Sequence, residues 1–570
     1  MEQLVKKTIT LVFCIFAIIT SLLFILSEEF SMENLLFPIV IITISCVLAK
    51  FPYLYRVKIK RPIIALSVIS FLALSIRIIW ATLVQVIPET DFYTYHTLSQ
   101  NILQNNVSNS VFVSLFPHVF GFSKVLSFFY AIFGSNPITA VYLNIVLNMG
   151  ILLLLYYLGK NLVNVNTGLA AATIYAFWPS QIFFNVFVLT EPLYTFGVLL
   201  IICFYFAIIN RIEKPKYFFL LFIILGSAIG FLKLIRPSAS ILLLSILIHY
   251  FFIAEKTITF NYNTFLKRKR IAGLNRKRNL CGNTSNKIFS AALSAVLVLS
   301  CSLITSVSIN KIEEKIGIDM ARHTSGFYLL VGTNLKGKGK YNNEDAAILQ
   351  AMLNGGMPAD KIQRQLSESG IKRILETDII LQIRHQMNKN KCMWRIDSDS
   401  ISFTKATISP TSHINIEKHS IWLSEVANFY YSVFFLLALS SIFFLKNEIP
   451  PFYFVFYLFI LGTVAAHMLA EVQSRYHYPV VPVLCILAAT VLTRAPKASG
   501  GYKPYVKIWI RVRVIKCSMW PLSYCSEVTI SHDTACILCD FCFYCYIVWC
   551  IIWLSPRKSQ SDFLMKFKVS

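Results

Sequence analysis

The stretch VIPETDFYTYH (86–96) sets two carboxylates, Glu89 and Asp91, among Phe92, Tyr93 and Tyr95, directly after a long apolar run. A carboxylate in such a setting can act as a general base. Four other short stretches carry residues of similar promise. Glu191 lies in FVLTEPLYTF and Arg236 in KLIRPSAS. Arg475 and His477 lie in AEVQSRYHYP, close to Glu471. His118 and Lys124 lie in FPHVFGFSK. Arginine forks onto phosphate oxygens, so Arg236 and Arg475 are candidates for holding an anion. Each residue also has a plainer role. Pro88-Glu89 can end a helix. Thr190-Glu191-Pro192 can start one, with an acid at the positive end of the dipole. Arg236 can snorkel to an interface. His118 and Lys124 can be ordinary surface residues.

These residues must be positioned by apolar elements. The chain has 570 residues, of which 56% are hydrophobic and only 14% charged, with a mean hydropathy of +0.62. That composition belongs to a polytopic all-α membrane protein. The net charge of +25 reads as basic anchors on one side of a membrane, and no basic soluble domain suited to nucleic acid is present. Twelve spans are expected, near 8–26, 34–50, 62–87, 138–158, 166–188, 190–209, 217–235, 237–254, 288–309, 421–445, 451–470 and 479–494. The first reads as a retained span, since no small-x-small cleavage site follows Lys6 and Lys7.

The connections assign the sides. AKFPYLYRVKIKRP (49–62), NRIEKPK (210–216), the stretch 254–289 with KRKR and RKR, and LTRAPK after the last span are all predominantly basic. All four fall on one face, which the positive-inside rule makes cytoplasmic. The opposite face receives the loop 88–137, the lips at Glu191 and Arg236, the segment 310–420 and the AEVQSRYHYP connection. Nearly every candidate residue is therefore external. An aspartate at the bilayer centre costs roughly 3 kcal/mol, and at the lip much less. The loop 88–137 is amphipathic and reads as interfacial helices. The segment 310–420 has helical periodicity in NEDAAILQAMLN and in ADKIQRQLSESGIKRIL, and reads as a small external helical subdomain.

Three motif echoes are set aside. GTNLKGKGK (332–340) lacks the Lys-Ser/Thr ending of a phosphate loop. DSD (397–399) reads as a polar loop. Seven of the 14 cysteines crowd between Cys517 and Cys550, with no partner spacing of a familiar metal site.

The order of several stretches resembles the GT-C superfamily of polyprenyl-phosphate-sugar glycosyltransferases, and most nearly its bacterial branch of protein O-mannosyltransferase and aminoarabinose transferase relatives. The stretches are ETDFYTYHTLSQNIL, FPHVFGFSKVLSFFYAIFGSNPITAVYLNIVLNM, YLGKNLVNVNTGLAAATIYAFWPSQIFFNVFVLTEPLY, GFLKLIRPSA, SGFYLLVGTNLKGKGKYNNED and SRYHYPVVPVL. They run over residues 62–495, about three-quarters of the chain. The resemblance implies sugar transfer from a polyprenyl-phosphate donor to a lipid, glycan or protein acceptor, on the external face of a bacterial plasma membrane. It implies Asp91 as the catalytic carboxylate. Glu89, Lys124, Glu191, Arg236, Arg475 and His477 are then candidates for binding donor phosphate or substrate. No cofactor is required by the residues; a divalent ion bridging Asp91 and the phosphate is compatible with them. The organisation expected is two additional spans (1–61), a core (62–309), the external segment (310–420), closing spans (421–498) and an atypical Cys-rich tail (499–570) that reads as an aberrant extension. A transporter or flippase of lipid-linked sugars is the competing reading. Transporters carry internal repeats and midplane charges, whereas these polar residues sit on lips.

Overall fold

The computed structural model describes residues 2–25, 59–107, 111–211, 217–254, 281–445 and 449–494, with a few positions between 41 and 48. The expected span 34–50, most of the basic connections and the Cys-rich tail lie outside the described residues. Those described are helical throughout, apart from one isolated bridge between Val86 and Ile408. The all-α membrane bundle expected from composition is what the chain forms.

Among the described residues, eight helices are long and apolar enough to cross a membrane. In chain order the helices that matter here are α1 (Glu2–Ile25), α2 (Pro62–Leu83), α3 (Thr90–Leu103), α4 (Val111–Leu115), α5 (Pro117–Phe133), α6 (Pro137–Leu162), α7 (Val165–Ala176), α8 (Pro179–Phe183), α9 (Glu191–Arg211), α10 (Phe218–Ile235), α11 (Ala239–His249) and α12 (Cys281–Ile316). They continue with α13 (Gly326–Gly332), α14 (Asn343–Asn354), α15 (Ala359–Glu376), α16 (Ile379–Trp394), α17 (Asp399–Thr407), α18 (Ile416–Leu445), α19 (Tyr453–Leu469) and α20 (Val481–Thr493). The expected spans near 237–254 and 451–470 form helices shorter than the other spans, with α11 ending in a π turn.

The expected span 166–188 is not one helix. Pro179 has no N–H to donate, and Trp178 before it takes an extended ψ of 111°. The chain leaves α7 there and restarts as α8 and a 3-10 turn, Phe184–Val186. Breaking a helix inside the bundle strands its last carbonyls. Arg77 of α2, fully buried, meets them: its Nη1 donates to Ala176 O at 2.9 Å, and its Nη2 to Tyr175 O at 3.4 Å. The restarted segment carries Trp178 and Ser180 into a buried cluster described below.

The loop 88–137 folds as α3, α4 and α5. Leu98, Ile102, Phe116 and Phe120 from these helices pack on Phe327, Leu330, Ile362 and Leu366 of α13 and α15. The candidate stretch itself is pinned from behind. Ile87 N–H donates to Thr407 O at 2.8 Å, and Ser409 N–H to Gln85 O at 2.8 Å. The helix carrying Asp91 thus starts from a fixed point.

Two glycines permit close approach around the polar lip. A Cβ on Gly121 of α5 would lie 2.0 Å from Leu234 O of α10. One on Gly332, ending α13, would lie 2.1 Å from Leu469 O at the end of α19. Both approaches fix segments that carry candidate residues.

Candidate active site

Asp91 is the second residue of α3, where the helix dipole favours a carboxylate. Thr90 before it has φ +49°, a left-handed conformation that is strained for a β-branched residue. Strain of this kind collects at functional sites. Arg475 donates from Nη2 to Asp91 Oδ2 at 2.7 Å. The two differ in access: the Arg475 side chain is 9% exposed and Asp91 is 54% exposed. The carboxylate is held by its partner yet open on one side.

Arg475 is caged by rings. Phe92, Phe403 and Tyr476 lie with centroids 5.7, 5.5 and 5.9 Å from its guanidinium carbon. Arg236, which caps α10, stands 5.6 Å from the centroid of the same Tyr476 ring. The two cations therefore share one aromatic. Arg236 pairs with Glu191 at 3.0 Å, and Glu191 is buried at the first turn of α9. Thr190 Oγ1 donates to the other Glu191 oxygen at 3.2 Å. Four of the residues singled out in the sequence, Asp91, Glu191, Arg236 and Arg475, are thus gathered as two acid–arginine pairs around Tyr476.

Neighbouring residues complete the group. Glu471 is buried, and that burial raises its pKa, against the opposing pull of the Gln473 hydrogen bond and Arg475. Tyr95 and Tyr328 are also raised, each first by burial and then by nearby acids. His118 reaches Tyr328 Oη at 3.3 Å. Burial, and after it the Arg236 charge, push its pKa down to about 4, so it is neutral near pH 7. Glu471, Tyr95 and His118 were named in the sequence, whereas Tyr476, inside SRYHYP, and Tyr328, inside SGFYLLVG, were not singled out and had a signal only as aromatics in the quoted stretches.

The remaining candidates are placed as follows. His477 does not join the site. It is 1% exposed, with Nε2 2.9 Å from Asp397 Oδ1 and Nδ1 2.7 Å from Met393 O. Its ring stacks on Tyr431 and Trp394. The reason is the 3-10 turn Ser474–Val480, which turns neighbouring side chains apart. Asp397 lies in the loop between α16 and α17, as expected, but it is buried there: Trp178 Nε1 and Ser180 Oγ donate to its Oδ2 at 2.7 and 2.6 Å. This buried cluster ties α8, the Asp397 segment and the Arg475 turn together. Lys124 stands on the exposed side of α5, away from buried Phe122 and Leu126. Glu89 is exposed at the α3 N-cap and makes no side-chain cap.

Among the described residues, no three His, Cys, Asp or Glu side chains gather as a metal site. Asp91 and Glu191 are each matched by an arginine instead. No step below is routed through a metal ion.

A family model described as dolichyl-phosphate-mannose-protein mannosyltransferase matches residues 118–266. No curated protein matches the chain in sequence. Among solved structures, the Archaeoglobus fulgidus oligosaccharyltransferase tethered with an acceptor peptide is similar at 12% identity, with a TM-score of 0.39, covering 75% of this chain and 49% of that one. The same archaeal enzyme, AglB, with an inhibitory peptide and a dolichol-phosphate gives 12% identity and a TM-score of 0.38, covering 76% and 50%. ArnT from Cupriavidus metallidurans bound to undecaprenyl phosphate gives 11% and 0.29, covering 73% and 77%. The aligned part spans about half the length of the oligosaccharyltransferase chains. These likenesses are too distant to transfer any residue's role. The resemblance to GT-C membrane glycosyltransferases, read from the order of six stretches, is met by the family model over the part that holds His118, Glu191 and Arg236.

Proposed function

We propose that the chain is a membrane glycosyltransferase that moves a hexosyl or pentosyl group from a polyprenyl-phosphate donor to an acceptor hydroxyl on the external face. The observation that carries this reading is the pair Asp91–Arg475: a half-exposed carboxylate and a ring-caged arginine, with a second arginine against the same Tyr476 ring. The acceptor oxygen attacks the anomeric carbon, and its proton passes to Asp91. The bond from that carbon to the phosphate oxygen breaks, leaving its electron pair on the phosphate. Arg475 and Arg236 stabilise the charge that develops there. Arg475 thus touches both halves of the reaction: it orders the base and receives the leaving group. Buried Glu191 serves as the counter-charge that holds Arg236, not as a second base. Tyr93, 57% exposed and two residues past Asp91, offers the sugar a stacking surface, whereas Phe92 is buried against Arg475. The acceptor class, whether lipid, glycan or protein, follows from none of these contacts.

The test uses the full chain in nanodiscs with radiolabelled polyprenyl-phosphate mannose, glucose and arabinose. Wild type should release polyprenyl phosphate with transfer to an added membrane-lipid or peptide acceptor, and Asp91→Asn should not. Translocation of the lipid-linked sugar across the bilayer, with no turnover of any donor, would replace this reading by the transporter.

A further inference from the structure

Most exposed apolar side chains of this chain lie on helices long enough to span a membrane. One group lies elsewhere. Ile371 and Leu375 on the last turns of α15 are 49% and 80% exposed. Ile379, Ile380, Ile383 and Met387 on α16 are 64%, 67%, 55% and 42% exposed. On α16 the four sit at helical spacing, one stripe along one face. The opposite face is the packed one, with His385, Lys389 and Met393 buried. Arg384 and Lys391 border the stripe, and Lys372 stands exposed beside Ile371.

The place of α16 decides what this stripe meets. Lys389 Nζ donates to Met468 O and Ala470 O, both at 2.9 Å, and to Gly332 O at 2.7 Å. Gln386 Nε2 donates to Met468 O at 3.0 Å. Helix α16 is therefore tied to the very end of α19, where Met468 and Leu469 are themselves 47% and 54% exposed. Exposed apolar side chains of α16 and of the α19 terminus therefore lie at the same end of the bundle. A patch this large facing water would mark an association site. A helix with an apolar face and basic borders at the rim of a bundle suits the lipid interface.

We propose that the α15–α16 corner is immersed in the membrane leaflet on the candidate site's side. Its four-residue stripe lies among acyl chains, with Lys372, Arg384 and Lys391 at anionic headgroups. This anchor holds the 468–475 connection, and with it Glu471 and Arg475, at headgroup depth. It stands independently of the glycosyltransferase reading, since it concerns only where the subdomain sits.

The experiment places a reporter on the stripe, Ile380→Trp, and another on α14, Gln350→Trp, which is exposed on the same external segment. Full-length protein is reconstituted in phosphatidylcholine–phosphatidylglycerol nanodiscs, with and without brominated acyl chains, and wild-type emission is subtracted. The Ile380→Trp signal should be blue-shifted and lose most of its intensity to the brominated lipid, while Gln350→Trp should be unaffected. Equal and weak quenching of both would overturn the proposal. So would protection of Ile380→Trp that appears only when two protein copies share a disc, which would assign the stripe to a second copy.

Discussion

Replacing Arg475 by methionine separates the two roles given to it. Methionine keeps an apolar stem among Phe92, Phe403 and Tyr476 but removes the charge and the fork. The stability cost is modest. Asp91 is 54% exposed and can be rehydrated when its partner goes, so the lost pair is worth about 1–2 kcal/mol. Each ring contact adds about 0.5–1 kcal/mol. The effect on transfer is larger. Losing one preorganised donor to developing negative charge lowers the rate by about a hundred- to a thousandfold, or ~3–4 kcal/mol. Single-turnover transfer from labelled donor, measured beside thermal unfolding in detergent, reads both numbers. Arg475→Lys should fall between wild type and Arg475→Met, because a point charge cannot make the fork. An Arg475→Met protein that melts near wild type and transfers at an undiminished rate would refute the assignment.

Asp397→Asn should lower stability by about 3–5 kcal/mol, since it uncouples a buried acid from His477, Trp178 and Ser180 at once; an unchanged melting temperature would show that the cluster is not what holds the Arg475 turn. Gly332→Ala should cost about 1–3 kcal/mol by overpacking and should slow transfer as well, because its Cβ pushes on Leu469 and Ala470, next to Glu471; a variant that folds and works as wild type does would remove that contact from the account. The pKa of His118 is depressed on folding from the ordinary 6.5 to about 4, so the unfolded chain binds its proton first as pH falls. Its contribution to stability is full above pH 6.5 and is lost between pH 6.5 and 4. Acid unfolding of His118→Phe should therefore have a shallower slope over that window, and an identical slope would count against a neutral buried imidazole.

Much of the site was legible because polar residues at the lips of apolar runs are costly without a purpose. That reasoning found Asp91, Glu191, Arg236 and Arg475, which converge in space. It did not find their pairing: Asp91 and Arg475 are 384 positions apart, and no periodicity in one chain links them. Local geometry set the exposure of two other candidates. Lys124 falls on the exposed side of α5, and His477 is turned inward by a 3-10 turn that the sequence pattern does not announce. Asp397 was dismissed with its polar neighbours because burial by distant Trp178 and Ser180 leaves no local trace. The break at Pro179 was readable in principle; an apolar run on both sides masked it. The exposed stripe on α16 was hidden for a related reason: helical periodicity does not say which face packs, and the buried face carries His385, Lys389 and Met393.

The central claim is that Asp91 accepts the acceptor's proton beside a phosphate held by arginine. Asp91→Asn preserves shape and keeps a hydrogen-bond acceptor for Arg475, so the fold and donor binding should persist. Transfer of labelled sugar from polyprenyl phosphate in nanodiscs should fall by about a hundred- to ten-thousandfold, with the affinity for the donor lipid little changed. Transfer by Asp91→Asn at the wild-type rate would contradict the account.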